Sequence, residues 1–591
     1  MVLVKPPFDV KIKKMMIKNK IVNFFIAIGI IAVFLFFYTY DLKTSTLTIN
    51  DRQKESIIKY VYDILDKEKN PVLKMDMEYD KIFITLFSQG KTLCSQSGSV
   101  EITEKNRISK DIFQAVEKCL KEIKAKEISP TDVVIDILYN EKKVEGTKII
   151  TLAEEIELGI NAVKLEDGKN VAFFKASYPI EKRYSLQSAI EKLCQKVKLK
   201  KTCYKDSEVS LYKYNSLSFK GNRETVVNLY RNSQLVNLSD ISQQYISKSI
   251  ANGYEWFKNN VDQKTNMLNY LYYPERDIYS KEESHGRRLA AVWAMGELSR
   301  FLQKQDLQET IYNTLDYYIN FLVEKNGIKY IKINSDSRMV YDAFLMLALL
   351  EQKEYPNRDK IMKDMAEAIL KQQRENGSFN TDFEKEMAED DLGNDYYPGE
   401  AMLSLMRLYN ETGEEKYKQS VEKAFLYYRE YWRAKKNTAF IPWHTQTYKL
   451  LFEETGNKEL TDFVFEMNDW VVANYQKFSS PYSDYVGGFG KNPTNSTASY
   501  LEGLADAYYL AKKVGDQEHI LKYAEACKYA ARFVLQTQFK EGDVFYLSNP
   551  QRALGGFKQS PINISQRNDY TQHSTLSLIK VYQNNIFSDA K

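Results

Sequence analysis

The side chains able to do chemistry collect where long loops run into helices. His285 and Arg287 precede the apolar stretch LAAVWAMGELSRFL, and Asp342 precedes AFLMLALLEQ. Asp390, Asp391 and Asp395 lead into Tyr396, Tyr397 and Glu400. His444 opens TQTYKLLFEE, Glu502 lies early in its helix, and Arg567, Asp569, Gln572 and His573 open the last one. The chain holds only 4 His, and His285, His444 and His573 all occupy such places.

Two chemistries fit these residue types. Cleavage of a sugar with inversion needs a carboxylic acid and a carboxylate roughly 6.5–9.5 Å apart. Asp391 or Asp395, paired with Glu400 or Glu502, supplies that set. Elimination or epimerisation instead removes a proton beside a uronate carboxylate. It needs a base such as His or Tyr and an Arg to neutralise the acid; Arg567 with His573 or Tyr570 suits. The catalytic candidates are thus Asp391, Asp395, Glu400, Glu502 and His573. The candidate substrate contacts are Tyr396, Tyr397, His285, Arg287, Asp342, His444, Arg567 and Asp569. A structural reading stands beside the functional one, because acids also cap helix N-termini and answer the helix dipole. No spacing among the three His defines a zinc site, so no metal and no cofactor are expected.

The elements that must position these residues are helices. From residue 236 to 591, helix follows helix in hairpins. Turns such as LYNETGEEKYKQSVEKA (408–424), LFEETGNKELTDFVFEM (451–467) and LAKKVGDQEHILKYAEA (510–526) place Gly after an apolar helix and start the next at once. Long polar loops at 376–397, 436–443, 478–497 and 540–570 separate the hairpins. About twelve helices in six irregular repeats predict an all-α (α/α)6 toroid with its long loops on one rim.

Residues 50–220 mix strand and helix signals, an α+β pattern. KIFITLF (81–87), DVVIDILY (132–139) and NVAFFKA (170–176) read as strands; DRQKESIIKYVYDIL (51–65), DIFQAVEKCLKEI (111–123) and SLQSAIEKLCQKV (185–197) read as helices. Ahead of them, IVNFFIAIGIIAVFLFFYTY (21–40) carries no charge, and about 20 such residues span a hydrocarbon core of about 30 Å. The run lacks a small-residue cleavage pattern, and the lysines of 1–20 place that basic tail in the cytoplasm. The sequence therefore predicts a multidomain chain: an N-terminal transmembrane helix in the lipid bilayer, the α+β domain, then the toroid. Both soluble domains are expected in the periplasm or outside the cell.

Apolar content of 43% and charged content of 27% suit a folded chain, and a net charge of +4 over 591 residues argues against nucleic-acid binding. The 5 cysteines include no CxxC pair, which speaks against a zinc ribbon or redox dithiol. Cys194 and Cys203 are close enough in sequence to pair in an oxidising compartment, and the odd count leaves at least one thiol free.

Two stretches resemble known families. EEIELGINAVKLEDGKNVAFFKASYPIEKRYSLQSAIEKLCQKVKLKKTCYKDSEVSLYKYNSLSF (154–219), preceded by IFITLFSQGKTLCSQSGSV (82–100), resembles the AMME-syndrome candidate-gene domain. Where that family carries L-R-G-C-I-G, this chain has Thr92-Leu93-Cys94-Ser95-Gln96-Ser97-Gly98, without the arginine. NDYYPGEAMLSLMRLYNETGEEKY (394–417), TASYLEGLADAYYLAKKVGD (497–516) and GGFKQSPINISQRNDYTQHSTLSLI (555–579) resemble the toroids of carbohydrate-active enzymes, in the style of unsaturated glucuronyl hydrolases and the C-terminal domain of glucuronyl C5-epimerases. The resemblance implies a polysaccharide or glycan substrate and a hydrolase, lyase or epimerase. The alternative is a non-catalytic glycan- or protein-binding subunit of an envelope assembly, with protein partners there.

Overall fold

The computed structural model describes residues 47–99, 107–123, 129–388 and 391–588. The first part is an α+β domain. Helix α1 (Asp51–Leu65) opens with a reciprocal cap, in which Asn50 Oδ1 accepts from Gln53 N and Gln53 Oε1 accepts from Asn50 N, both at 3.0 Å. Its apolar stripe of Ile57, Ile58, Val61 and Ile64 is buried, as helical spacing requires. Helix α2 (Arg107–Ile123) buries Ile108, Ile112, Ala115 and Cys119 beside it. Helices α3 (Ile149–Glu155) and α4 (Leu186–Lys196) follow.

These helices pack on an antiparallel sheet of β1 (Lys81–Ser88), β2 (Lys91–Ser97), β3 (Asp132–Val144), β4 (Asn161–Glu166), β5 (Val171–Phe174), β6 (Ser210–Gly221) and β7 (Val226–Leu229). The strand order is β2-β1-β3-β6-β4-β5, with β7 also pairing β6. Disulfides join Cys94 of β2 to Cys119 of α2, and Cys194 of α4 to Cys203. Cys527 is free and buried.

The second part is a ring of twelve helices. Outer and inner helices alternate: α5 (Gln243–Asn259), α6 (His285–Leu302), α7 (Gln308–Ile319), α8 (Met339–Leu350), α9 (Arg358–Lys371), α10 (Tyr397–Thr412), α11 (Glu415–Ala434), α12 (Phe440–Thr455), α13 (Lys458–Tyr475), α14 (Ser496–Val514), α15 (Gln517–Thr537) and α16 (Asn568–Gln583). The even-numbered helices are inner, each packs on the next, and α16 packs back on α6 to close the ring. Inner helices are buried nearly all round; α8 is the most apolar, with every residue buried, whereas α16 buries Asn568, Gln572, Ser574 and Ser577 among its apolar residues. Gly413 and Gly456 end α10 and α12 at φ 70° and 63°, the left-handed caps that let the outer helix start at once.

Two expectations are corrected. The ring is not all-α. The short strands β8 (Leu271–Tyr273), β9 (Ile278–Tyr279), β12 (Lys558–Ser560) and β13 (Asn563–Arg567) form a sheet ordered β12-β13-β8-β9. It ties the loop after α5 to the loop before α16. A hairpin of β10 (Leu322–Lys325) and β11 (Ile328–Ile331) links α7 to α8. Nor does the fold include a transmembrane helix: among the described residues no helix is long and apolar enough to cross a membrane. The most apolar, α8, has 12 residues, about 18 Å at 1.5 Å each, against a hydrocarbon core of about 30 Å. The segment 21–40 assigned to the span lies outside the described residues.

The two parts are docked firmly. Phe545, from the loop after α15, meets Phe87 edge-on at 5.2 Å and packs with Val134 and Leu229 on the sheet face away from α1 and α2. At the β1–β2 turn, Gly90 has φ +74°, and a Cβ there would lie 1.7 Å from the Leu547 carbonyl oxygen. Arg231 is 3% exposed and bridges the parts, with Nη1 2.6 Å from Glu157 and Nε 2.8 Å from Asp484.

Candidate active site

The N-terminal ends of all six inner helices meet at one mouth of the ring, around a cavity of about 480 Å³. The first turns of these helices bring Tyr341, Tyr397, Trp443, Tyr500 and Tyr570 to it, and Tyr396 comes from the residue just before α10. Rings flanked by hydroxyls and charges suit a ligand with both apolar faces and polar edges.

Glu400, in the first turn of α10, lies at the cavity wall and is 5% exposed. Its Oε2 has no hydrogen-bond partner. Burial pushes its carboxyl up to about 8, against a smaller opposing pull from Arg287, so it stands protonated at neutral pH.

His573, on α16, faces the cavity and sits 5.7 Å, ring to ring, from Trp443. Its Nδ1 lies 2.7 Å from Oε1 of Glu502 on α14. A buried carboxylate there holds the proton on Nδ1 and leaves Nε2 as a base. Asp569 is differently engaged. It receives Arg567 Nε and Nη2 at 2.6 and 2.8 Å, and Arg287 Nε at 3.0 Å. Strand β13 delivers Arg567, whose guanidinium lies 4.4 Å from the Tyr570 ring centre. Its paired charge, Asp569, raises its pKa further, against the desolvation of burial.

The structure thus brings together Glu400, His573, Arg287, Arg567, Asp569, Tyr396 and Tyr397 at the cavity, with Glu502 immediately behind His573. Other candidates lie elsewhere. Asp391 caps a short 3-10 turn by accepting from Gly393 N at 2.7 Å. Asp395 accepts from Tyr431 Oη at 2.9 Å and Asn437 Nδ2 at 3.0 Å, tying its loop to α11. Asp342 is fully buried and accepts from Ile331 N of β11 at 3.0 Å; burial raises its pKa well above the ordinary value. His444 is fully buried, stacks on Phe440 at 3.3 Å and meets the Phe440 carbonyl at 2.9 Å; burial lowers its pKa to about 3. His285 stands behind the wall, 3.2 Å from Tyr318 Oη, its pKa lowered by burial and by Arg288. Asp390 lies outside the described residues.

The cavity also uses residues the sequence reading passed over. Asp336 holds both Arg338, at 3.1 Å, and Tyr341, at 2.8 Å, on the wall. Tyr500 is fixed by its hydrogen bond to Thr438 at 2.9 Å. The usable signal was position: each lies within a turn of an inner-helix start or in the loop before it. Among the described residues no group of three or more His, Cys, Asp or Glu is placed to hold a metal ion.

Residues 62–219 match the AMMECR1 family. No curated protein matches the chain. Among solved structures, a D-mannose isomerase is 11% identical with a TM-score of 0.45, over 58% of this chain and 98% of that one. An unsaturated glucuronyl hydrolase from Streptococcus agalactiae is 12% identical with a TM-score of 0.41, over 59% and 94%. A family 76 glycoside hydrolase from a bovine Bacteroides thetaiotaomicron strain is 10% identical with a TM-score of 0.44, over 77% and 97%.

Proposed function

We propose that the ring is an enzyme that acts on a glycan or its sugar units by general acid–base chemistry, with Glu400 as the acid and His573 as the base. The observation that carries this reading is the pairing, in one aromatic cavity, of a buried neutral carboxyl with a histidine backed by a buried carboxylate. General acids and bases work best with proton affinities near the operating pH. Glycosidases pair two carboxyl groups, whereas Asp569 here has its oxygens taken by Arg567 and Arg287. The free base is then a histidine, which favours proton transfer at a carbon (elimination, epimerisation or isomerisation) over hydrolysis. Arg287, Arg338 and Arg567 would hold an acidic or electron-rich edge of the substrate. The two disulfides support an oxidising, extracytoplasmic site of action.

Incubation in heavy water with neutral and uronate-containing sugars and oligosaccharides separates the outcomes. Deuterium entering a substrate C–H position, lost in Glu400→Gln and His573→Asn, supports proton transfer. An unsaturated uronate end formed with each new reducing end marks elimination; new reducing ends with neither carbon-bound deuterium nor such an unsaturated end would move the reading to hydrolysis. Binding without turnover of any sugar, equally in both variants, would leave the cavity as a binding site alone.

A further inference from the structure

Exposed aromatic rings are scarce in this protein, and most of them stand on the mouth rim. Of the Phe, Tyr and Trp side chains among the described residues, only Phe113, Tyr396, Tyr475 and Phe478 are exposed. Tyr396 lines the cavity. Tyr475 is the last residue of α13. The outer helices run back toward the mouth, so this end of α13 reaches the rim. Phe478 follows in the loop to α14. Outward-facing rings gathered at one place mark a contact surface.

The patch is continuous with the cavity by two routes. Tyr500, on the cavity wall, meets the Phe489 ring at 5.0 Å, and the N–H of the next residue, Gly490, donates to the Tyr475 carbonyl at 2.8 Å. Thr438, also on the wall, follows Asn437, whose carbonyl accepts from Trp432 Nε1 at 2.9 Å. Trp432 meets Trp470 edge-on at 5.5 Å, and Trp470 lies 5.3 Å from Tyr475. Buried Phe489 and Trp432 thus hold exposed Tyr475 and half-buried Trp470 beside the mouth.

Charge on this side of the rim has one sign. The loops that frame the patch, 435–439 and 476–495, hold Lys435, Lys436, Lys477 and Lys491 against one acid, Asp484. Asp484 is buried, 2.8 Å from Arg231 Nε. On α13, Glu466 and Asp469 are taken by Arg433 at 2.7 Å and Lys522 at 2.8 Å. None of the four lysines pairs with a carboxylate among the described residues. Lys436 Nζ lies 5.1 Å from the Trp432 ring centre, and Lys491 directly follows Gly490. Aromatic faces offer stacking area to sugar rings, and unpaired ammonium groups beside them favour a chain that carries carboxylates.

We infer that this strip is an accessory binding site for the further units of an acidic polysaccharide whose end occupies the mouth. Tyr475 and Trp470 stack on its sugar rings, and Lys436 and Lys491 meet its carboxylates. The inference rests on the reading of the mouth as a glycan site and adds to it a preference for long, acidic chains.

Calorimetric titration of the full chain with galacturonic acid di- to hexasaccharides tests the inference, with cello-oligosaccharides of the same lengths as the neutral series. Affinity for the acidic series should rise about tenfold or more from disaccharide to hexasaccharide, the worth of about one stacked ring. Tyr475→Ala, and separately the double variant Lys436→Ala, Lys491→Ala, should remove that gain and leave disaccharide binding unchanged. Tyr475→Phe should keep it. Added salt should shrink it, since the lysines are exposed. Thermal melting checks that each variant is folded; if Tyr475→Ala is not, the lysine variant decides alone. A gain that ignores both variants, an equal gain in the neutral series, or no gain with length overturns the inference. If the short sugars are still bound or turned over in that case, the proposed function stands without the strip. A Tyr475-dependent gain in a chain that turns over no sugar upholds the strip and overturns the proposed reaction. Absence of binding in both series overturns the inference, while the heavy-water incubation judges the proposed function separately.

Discussion

Nδ1 of His573, on α16, lies 2.7 Å from Oε1 of Glu502, on the neighbouring inner helix α14, and Glu502 is 1% exposed. The pair joins the last two inner helices and fixes which nitrogen faces the cavity. Glu502→Gln keeps the shape but removes the charge that favours a proton on Nδ1. Turnover should fall about 100-fold or more, within the range for one general base, with KM little changed. A raised KM with kcat unchanged would assign the pair to substrate binding instead.

Glu400 sets a pH dependence of stability. Its folded pKa is about 8 against an ordinary 4.5. The folded chain therefore holds this proton more tightly than the unfolded one. Stability from this group is complete below about pH 4.5 and declines as the pH rises toward about 8. The loss is on the order of 5 kcal/mol at about 1.4 kcal/mol per tenfold change in proton affinity. Glu400→Gln should flatten that slope in urea unfolding between pH about 5 and about 9. It should also abolish turnover, whose alkaline limb in the unaltered chain should fall near pH 8. An unchanged slope in Glu400→Gln would show that this carboxyl is not the group responsible.

Asp569 gathers two arginines, and its side chain is 10% exposed. Asp569→Ala leaves Arg567 half-buried without its partner, and breaking such a pair costs roughly 3 kcal/mol or more. Chemical denaturation should show that loss. The Arg567→Met, Asp569→Leu double variant should recover most of it, because the uncompensated charge is gone; additive losses would contradict the pairing.

The disulfides span 25 and 9 residues, and closing loops of those lengths contributes about 3 kcal/mol each. Reduction should therefore lower the melting temperature of the α+β domain. Thiol titration of the denatured, unreduced chain should find one reactive group, Cys527; five would show that neither bridge forms.

Phe545 is the wedge between the two parts. Phe545→Ala removes its contacts with Phe87, Val134 and Leu229, at a cost of about 3–5 kcal/mol. Calorimetry should show the single transition of the unaltered chain splitting into two. A single transition at unchanged temperature would mean that the domains are coupled elsewhere.

Much of the ring was legible before the structure, for local reasons. The T-G turns after apolar helices are visible as such, and Gly413 and Gly456 take the left-handed conformation those turns require. The polar residues at helix starts were equally visible, but their destinations were not. Asp342 and Glu400 both stand fourth in inner helices, α8 and α10. One points at β11 and accepts from Ile331 N, and the other lies at the cavity wall. The rotation of each helix about its axis decides between these, and tertiary packing sets that rotation. His444 and Asp395 were drawn into structural contacts in the same way. The sheet of β8, β9, β12 and β13 escaped notice because its strands have 2–5 residues and pair across nearly the whole ring.

The ring closes by α16 returning to α6, and that closure has a consequence for biosynthesis. Asp569 and His573 arrive with this helix, the last of the inner set to leave the ribosome, and Arg567 with the strand just before it. Until then the five earlier inner helices form an open horseshoe, with Glu400 present and Glu502 lacking its histidine. On the roles proposed above, a nascent chain holds the acid without the base until α16 joins the ring.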